Sequence, residues 1–471
     1  MSQHFDIAVI GSGPGGYVAA LKAGQMGASV AIVESGHLGG ACLNVGCIPS
    51  KALLASAELI HKIQHAGELG VDVAGGVAVN WAKVQARKDK TLQALRGGIK
   101  SLLAARKVTL FQGRAVLNGP GKVAVTGSDG ARQEFTAANT ILAVGSVPAR
   151  IPGWPDDPAI LCTSDEALHW KTLPRRLMIV GGGIIGCEFA CMMQAFGVEV
   201  TVVEMMPRLM PEMDCQLAEP VQKIFAKRGI KCLLGTKVAE MSVSGATARA
   251  VLTGGATVEA DRVLVAVGRC PNTAGIGLES VGLGTDRGFV RVDDFLQTSV
   301  KGYYCIGDAN GRCLLAHAAS AHGVAAVENI LGHRRPFESP IPSCVYTFPE
   351  LASVGLSQEQ AAARGLPVAI GTFPLSYLGK AMAVGDTDGF VKVIRHRGDG
   401  RLLGVHMMGH NVTECIAAAG ALMHQKVSVR EMAEVVFAHP TISEALKEAA
   451  EDALGQAIHL PPRKTLRVAA E

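Results

Sequence analysis

From Ile7 the chain is apolar for four residues (IAVI), breaks at Gly11, and resumes as an Ala-rich stretch that ends at Gly27. A β-branched run, ASVAIVE, follows and stops on Glu34. A short continuous apolar run, then helical spacing, then a second short run predicts strand, helix, strand. The same order returns in LMIVGGGIIGCEFACMMQAFGVEVTVVE, residues 177–204. The offset between the copies is constant, so Gly11, Gly13, Gly16, Gly27 and Glu34 fall on Gly181, Gly183, Gly186, Gly197 and Glu204.

Each copy carries GxGxxG between its strand and its helix. In that setting the glycines permit a tight turn, close approach of backbone to a pyrophosphate, and packing of helix on strand. The helix N-terminus offers free N–H groups and a partial positive charge to phosphate. A terminal Glu can accept both hydroxyls of an adenosine ribose, and its charge repels a 2′-phosphate. One such turn can be a Gly-rich bend without a ligand. Two in register, both ending on Glu, point to two dinucleotide sites.

Later segments echo this pattern. TILAVGS and RVLVAVGR are apolar strands that stop on Gly145 and Gly268, as the closing strand of each nucleotide domain would. YYCIGDAN reads as a further strand ending near Asp308, which either binds a polyol hydroxyl or caps a turn. Residues 145–177 are Pro-rich, fitting a connection between domains. Beyond about residue 340 the Gly-rich pattern ceases. Alternation near 390 (FVKVI) and helical periodicity over 412–455 predict an α+β domain of another kind.

Composition narrows the function classes. At 471 residues the chain is long enough for two to four domains. A net charge of +4 gives no support to nucleic-acid or membrane-surface binding. The best apolar stretch, Leu177 to Val203, is interrupted by Gly181, Gly182, Gly183, Glu188 and Glu199, so no membrane span is expected. Met1 to Asp6 is polar and does not resemble a signal peptide, which suggests a cytoplasmic protein, or an organelle-matrix one if a presequence has been removed.

Of 12 cysteines, ten are scattered singly and read as structural thiols. Cys42 and Cys47 stand apart in GGACLNVGCIPSKALL, just after the first repeat. Pro49 suits the first turn of a following helix, which places Cys47 near a helix N-terminus where a thiolate is favoured. By spacing alone the two can be a redox pair or unrelated core thiols. A zinc site is disfavoured, because no CxxC partner pair or nearby HxxxH supplies further ligands. In AHPTISE, His439 and Glu444 are five apart, too far to share one face of a regular helix. Pro440 instead implies a turn with Glu444 on the helix after it. His439 by itself reads equally as a base or as a capping or core histidine.

These segments together resemble the pyridine nucleotide–disulfide oxidoreductases. GGACLNVGCIPSK is similar to that family's redox-active segment, and CLNVGCIPSK is most like the branch that oxidises dihydrolipoamide. The resemblance spans the chain, through IGDAN, LLAHAAS, YTFPELASVG and AHPTISE. It implies an α/β fold with two Rossmann-like dinucleotide-binding domains, for FAD and NAD, and an α+β C-terminal dimerisation domain. The implied order is FAD-binding 1–147, NAD-binding 148–275, central 276–343 and dimer-interface 344–471. FAD would lie on the first GxGxxG with Glu34 at its ribose, Asp308 at the ribityl chain, and the backbone near Ala316 at the ring. Lys51 would sit near the flavin and pair with Glu188. NAD would lie on the second GxGxxG with Glu204. Cys42 would exchange thiols with substrate and Cys47 would face the flavin. His439 and Glu444 of the partner subunit would form the acid–base pair.

The implied activity is oxidation of protein-bound dihydrolipoamide to lipoamide, with electrons passing through Cys42–Cys47 and FAD to NAD⁺. The expected partners are a second copy of the chain and a lipoylated acyltransferase or lipoyl-carrier protein. The alternative is a related FAD/NAD(P)H disulfide reductase acting on another disulfide. Mercuric reductase and high-molecular-weight thioredoxin reductase are disfavoured, since the tail PPRKTLRVAAE has no Cys pair. Three positions depart from the family's pattern: Ala41 where Thr is usual, His322 where an acidic residue is frequent, and Lys380 where Arg is often seen.

Overall fold

A computed structural model describes residues 3–461. Most of the tail PPRKTLRVAAE lies outside the described residues, as do Met1 and Ser2. The chain gathers into two compact units, one from residues 1–57, 78–181 and 238–338, the other from 58–77, 182–237 and the remainder.

The first unit is built on a mixed sheet. Strand Gln3–Ile10 lies at its centre, parallel to Val30–Glu34 on one side and to Arg132–Leu142 on the other. Thr109–Gln112 extends the sheet beyond Val30–Glu34, and Tyr303–Cys305 pairs in parallel with Arg132–Leu142. Both faces of the central strand are covered. Ile7 and Val9 pack with Ala19, Ala20 and Ala23 of helix Pro14–Gln25, while Phe5, Ala8 and Ile10 pack with Val123, Val125 and Phe135. Two buried faces explain the continuous apolar run at its end. The strand starts at Gln3, four residues earlier than its apolar run, because residues 3–5 continue the parallel ladder against Phe135–Ala137. A second parallel set, Leu161–Thr163, Arg262–Val265 and Arg176–Val180, also belongs to this unit.

In the second unit, helix Ile184–Ala195 precedes strand Glu199–Val203, which pairs in parallel with Lys231–Leu233. A five-stranded antiparallel sheet follows, ordered Ser343–Val345, Glu350–Gly355, Leu402–Gly409, Phe390–His396, Val368–Pro374. Phe373, Val391, Val393, Val405 and Met407 form its core with Ala445, Leu446, Ala449 and Ala450 of helix Glu444–Ala453. That helix lies so close to the sheet that a Cβ on Gly371 would collide with the Ala449 carbonyl. Small residues on both sides therefore set the position of Glu444. Lys392, fully buried, donates to both oxygens of Asp214 at 2.9 Å and to Gln358 Oε1 at 2.9 Å. Removing one member of such a buried pair costs about 3–5 kcal/mol.

Among the described residues, one stretch, 40–64, is long and apolar enough to pass as a membrane span. It is two helices, Gly40–Val45 and Cys47–Gln64, separated at Gly46. Half of its apolar window is buried within the protein, as in a core helix.

Candidate active site

The two Gly-rich turns are built alike. Gly11 and Gly181 have φ of 100° and 108°, which a side chain tolerates poorly, and a Cβ on either would collide with the carbonyl of Ala143 or Ala266. A Cβ on Gly16 would strike the Gly11 carbonyl, so this glycine lets the helix seat on the turn. Gly186 is likewise buried. Gly13 and Gly183 face open space, and a Cβ at either would meet nothing nearer than 3.8 Å. They precede helices Pro14–Gln25 and Ile184–Ala195, neither of which has a side-chain cap. The first N–H groups of both helices are thus left for an anion.

The repeat extends to hydrogen bonds. Glu34 Oε2 accepts the Ser12 N–H at 2.9 Å, and its Oε1 accepts the Gly36 N–H at 2.7 Å. Glu204 Oε2 accepts the Gly182 N–H at 2.5 Å, and its Oε1 accepts the Met206 N–H at 2.7 Å. The donors occupy equivalent places in the two copies. Each carboxylate braces its own turn and retains lone pairs for further donors.

In the first unit, Ser146 Oγ donates to Asp308 Oδ2 at 2.5 Å and accepts from Arg269 Nε at 2.7 Å. Asp308 sits in the turn Gly307–Asn310, right after strand Tyr303–Cys305. Gly145 and Gly268 have positive φ, and their carbonyls accept from Asn272 and Ala149, fastening Ser146–Pro148 to Arg269–Pro271. Ala316 opens helix Ala316–Ile330, which also has no side-chain cap, and Ser320 Oγ donates to the Pro14 carbonyl at 3.3 Å. Two uncapped helix starts, an open space at Gly13 and two carboxylates, Glu34 and Asp308, thus belong to one unit. This donor and acceptor set fits an extended dinucleotide bearing phosphates and polyol hydroxyls.

Cys42 and Cys47 form a disulfide with Cα atoms 4.7 Å apart. Cys42 lies in the short helix Gly40–Val45, not in a loop, and Cys47 is the first residue of Cys47–Gln64. Pro49 lies in that helix's first turn, and Lys51 follows on the same helix. The other ten cysteines form no disulfide. Burial pushes the Cys162 thiol up to about 12 and those of Cys191, Cys232 and Cys415 up to about 11, so all four stay protonated at neutral pH.

In the second unit, His439 Nδ1 lies 2.9 Å from Glu444 Oε1, and Glu444 Oε2 accepts the Thr441 N–H at 2.8 Å. Pro440 forms the turn and Glu444 begins the helix, which brings residues five apart into contact. The His439 side chain is 78% exposed and that of Glu444 only 22%, so the imidazole is held at one nitrogen and open at the other. Glu188, buried on helix Ile184–Ala195, accepts the Tyr346 N–H at 3.0 Å.

Residues 5–323 match the family model of the pyridine nucleotide-disulphide oxidoreductases, and residues 341–450 match that family's dimerisation domain. The chain belongs to this family. The dihydrolipoyl dehydrogenases among its members use FAD and NAD, which domains of this kind bind. Curated relatives include dihydrolipoyl dehydrogenase of Bacillus subtilis, 39% identical over 98% of this chain and 100% of the relative. The enzyme of the same name from Chlorobaculum tepidum is 42% identical over 96% and 98%. The crystal structure of LpdA from Mycobacterium tuberculosis superposes with a TM-score of 0.89 at 29% identity, covering 95% of this chain and 99% of LpdA. The chain thus has the family's α/β architecture, dimerisation domain and redox-active disulfide. Ser146 and Arg269 are the site residues that sequence reasoning passes over. Both stand next to the strand-ending glycines, and that adjacency is the one signal that could have found them.

Proposed function

We propose that this chain oxidises protein-bound dihydrolipoamide to lipoamide and delivers the electrons to NAD⁺. The observation that carries the reading is the Cys42–Cys47 disulfide at the head of a helix, a few residues beyond the first strand–helix–strand repeat, which ends on Glu34. His439 takes a proton from one substrate thiol, and Glu444 holds the imidazole and stabilises its charge. The substrate thiolate attacks Cys42, breaking the protein disulfide and releasing Cys47 as a thiolate. The second substrate thiol then attacks the mixed disulfide, freeing lipoamide and leaving two reduced cysteines. Bound FAD supplies the two-electron acceptor between the dithiol and NAD⁺.

The amides at Gly11–Gly16 and Ala316, with Glu34 and Asp308, are assigned to FAD, with Lys51 and Glu188 beside its ring. Gly181, Gly183, Gly186 and Glu204 are assigned to NAD, and Gly145 and Gly268 to the closing turns. The boundaries 1–147, 148–275, 276–343 and 344–471 follow from the same reading. So do a homodimer with His439 and Glu444 of the partner subunit at each disulfide, a lipoylated acyltransferase or carrier-protein partner, and a cytoplasmic location. Steady-state assays with dihydrolipoamide, glutathione disulfide and thioredoxin, each with NAD and NADP cofactors, test it. Dihydrolipoamide with NAD⁺ should give the highest catalytic efficiency. Faster turnover of glutathione disulfide or thioredoxin would place the chain among the other disulfide reductases.

A further inference from the structure

The redox segment is gripped from outside by one helix of the same unit. Helix Trp81–Ala105 is capped by Asn80, whose side chain accepts the Lys83 N–H at 3.0 Å. Two basic residues on it, Arg87 and Arg96, reach the segment that carries the two cysteines, and a third, Lys88, is buried beside them on the same helix. Arg87 Nη1 donates to the Ala52 carbonyl at 2.9 Å, on the helix that Cys47 begins. Lys88, 1% exposed, donates to the Leu168 carbonyl at 2.8 Å and to Gln85 Oε1 at 2.6 Å. Arg96 Nε donates to Asn44 Oδ1 at 2.5 Å.

Asn44 lies between Cys42 and Cys47 in the chain and is buried. Its Nδ2 donates to the carbonyls of Gly40 at 2.8 Å, Leu38 at 3.1 Å and His37 at 3.3 Å. One side chain therefore fastens the small ring closed by the disulfide to the backbone just before it. Arg96 holds that side chain from the opposite end, through a short charge-assisted bond.

This matters for a dithiol. When the disulfide opens, covalent closure no longer holds residues 42–47. The ease of closing it again depends on how often the two sulfurs meet, an effective concentration set by how tightly the loop is held. A tether that survives reduction keeps that concentration high.

We propose that Arg96 is a positioning residue for the exchange dithiol: through Asn44 it keeps Cys42 and Cys47 within reach of each other after reduction and so sets their redox equilibrium. The inference rests on the assignment of Cys42–Cys47 as the exchange pair. The relevant balance is protein disulfide plus two glutathione thiols giving protein dithiol plus glutathione disulfide, with two electrons and two protons moving to the cysteines.

The test poises the FAD-loaded protein in anaerobic glutathione buffers, quenches with an alkylating agent and counts alkylated Cys42 and Cys47 by mass. Arg96→Leu should shift the equilibrium constant about three- to tenfold toward the dithiol, as expected when part of a charge-assisted hydrogen bond is lost. Arg96→Lys, which keeps a cationic donor, should recover at least part of that shift. Bound FAD per chain should stay the same, which a general loss of structure would not allow. If Arg96→Leu does not fold, Arg96→Gln carries the same measurement. An unchanged equilibrium constant in the Leu or Gln variant, or a Lys variant shifted as far, overturns the role of Arg96. Absence of dihydrolipoamide turnover in the unaltered protein would instead overturn the functional reading, and the glutathione equilibrium remains measurable in that event.

Discussion

His322 Nδ1 accepts the Gly307 N–H at 3.3 Å, fixing the start of the turn that holds Asp308. The bond requires an unprotonated Nδ1. Burial first, and the Arg312 charge second, lower the His322 pKa from an ordinary 6.5 to about 4. Phe337 packs edge-on against the ring and adds no charge. The unfolded chain therefore takes up this proton below about pH 6.5, while the folded protein resists until about pH 4. Stability from the neutral ring is complete above pH 6.5 and drains as pH falls toward 4, by up to about 3 kcal/mol. FAD retention by the folded protein should fall only as pH approaches about 4, where the native ring takes up its proton and releases Gly307. His61 is also lowered to about 4, so the parent protein alone does not isolate the effect. The comparison is with His322→Gln, which can still accept from Gly307. Its melting temperature should depend less steeply on pH between 6.5 and 4, and its FAD content less steeply near pH 4. Identical profiles would remove His322 from this role.

NAD should be preferred over NADP. Glu204 is buried, one of its oxygens accepts from Gly182 in the second turn and the other from Met206 just after the strand, and a 2′-phosphate there would face a carboxylate that cannot swing away without losing these two bonds. Arg208, the basic residue nearest Glu204 in the chain, donates to the Pro211 and Met213 carbonyls. Catalytic efficiency with the two cofactors is the measurement. Equal values, or a preference for NADP, would contradict the assignment.

Cys42→Ser and Cys47→Ser should each abolish dithiol turnover and leave FAD bound, since Glu34, Asp308 and the glycines of the first turn do not involve either thiol. The two variants should differ in colour. With Cys42 replaced, the remaining Cys47 thiolate should give a long-wavelength absorbance with the flavin. If the band appears only with Cys47 replaced, the two cysteines have exchanged roles.

What the sequence makes legible is whatever repeats or lies close in the chain. The constant spacing of Gly11, Gly13, Gly16 and Glu34 from their counterparts exposes both turns, and even the bracing by Glu34 and Glu204 obeys it. Pro440 discloses the turn that joins His439 to Glu444. What stays hidden depends on distant pairing. Ser146, Arg269 and Asp308 meet only because strands far apart in the chain end at one place. Arg96 lies on a helix whose amphipathic pattern names no target, and 52 residues separate it from Asn44. The first strand begins ahead of its apolar run because residues 3–5 are held by ladder pairing and not by apolar burial alone.

The acid–base pair allows the most stringent test. His439 is anchored to Glu444 at Nδ1 and exposed beyond it, so the other ring nitrogen is available for a thiol supplied from elsewhere. His439→Ala should lower dihydrolipoamide turnover about a hundredfold or more, as loss of a general base does. Hydride exchange between NADH and an artificial acceptor does not need this proton and should persist. Glu444→Gln should lower turnover less, because it loosens the imidazole without removing it. If each disulfide is served by the partner's His439, two inactive proteins should complement one another. A mixture of Cys42→Ser and His439→Ala, under conditions that exchange subunits, forms heterodimers with one intact site and one site lacking both groups. Activity should return to as much as half the normal value per heterodimer. With both groups required from a single chain, neither site of such a heterodimer would be complete. Demonstrated subunit exchange without any return of activity would therefore exclude a site shared between subunits.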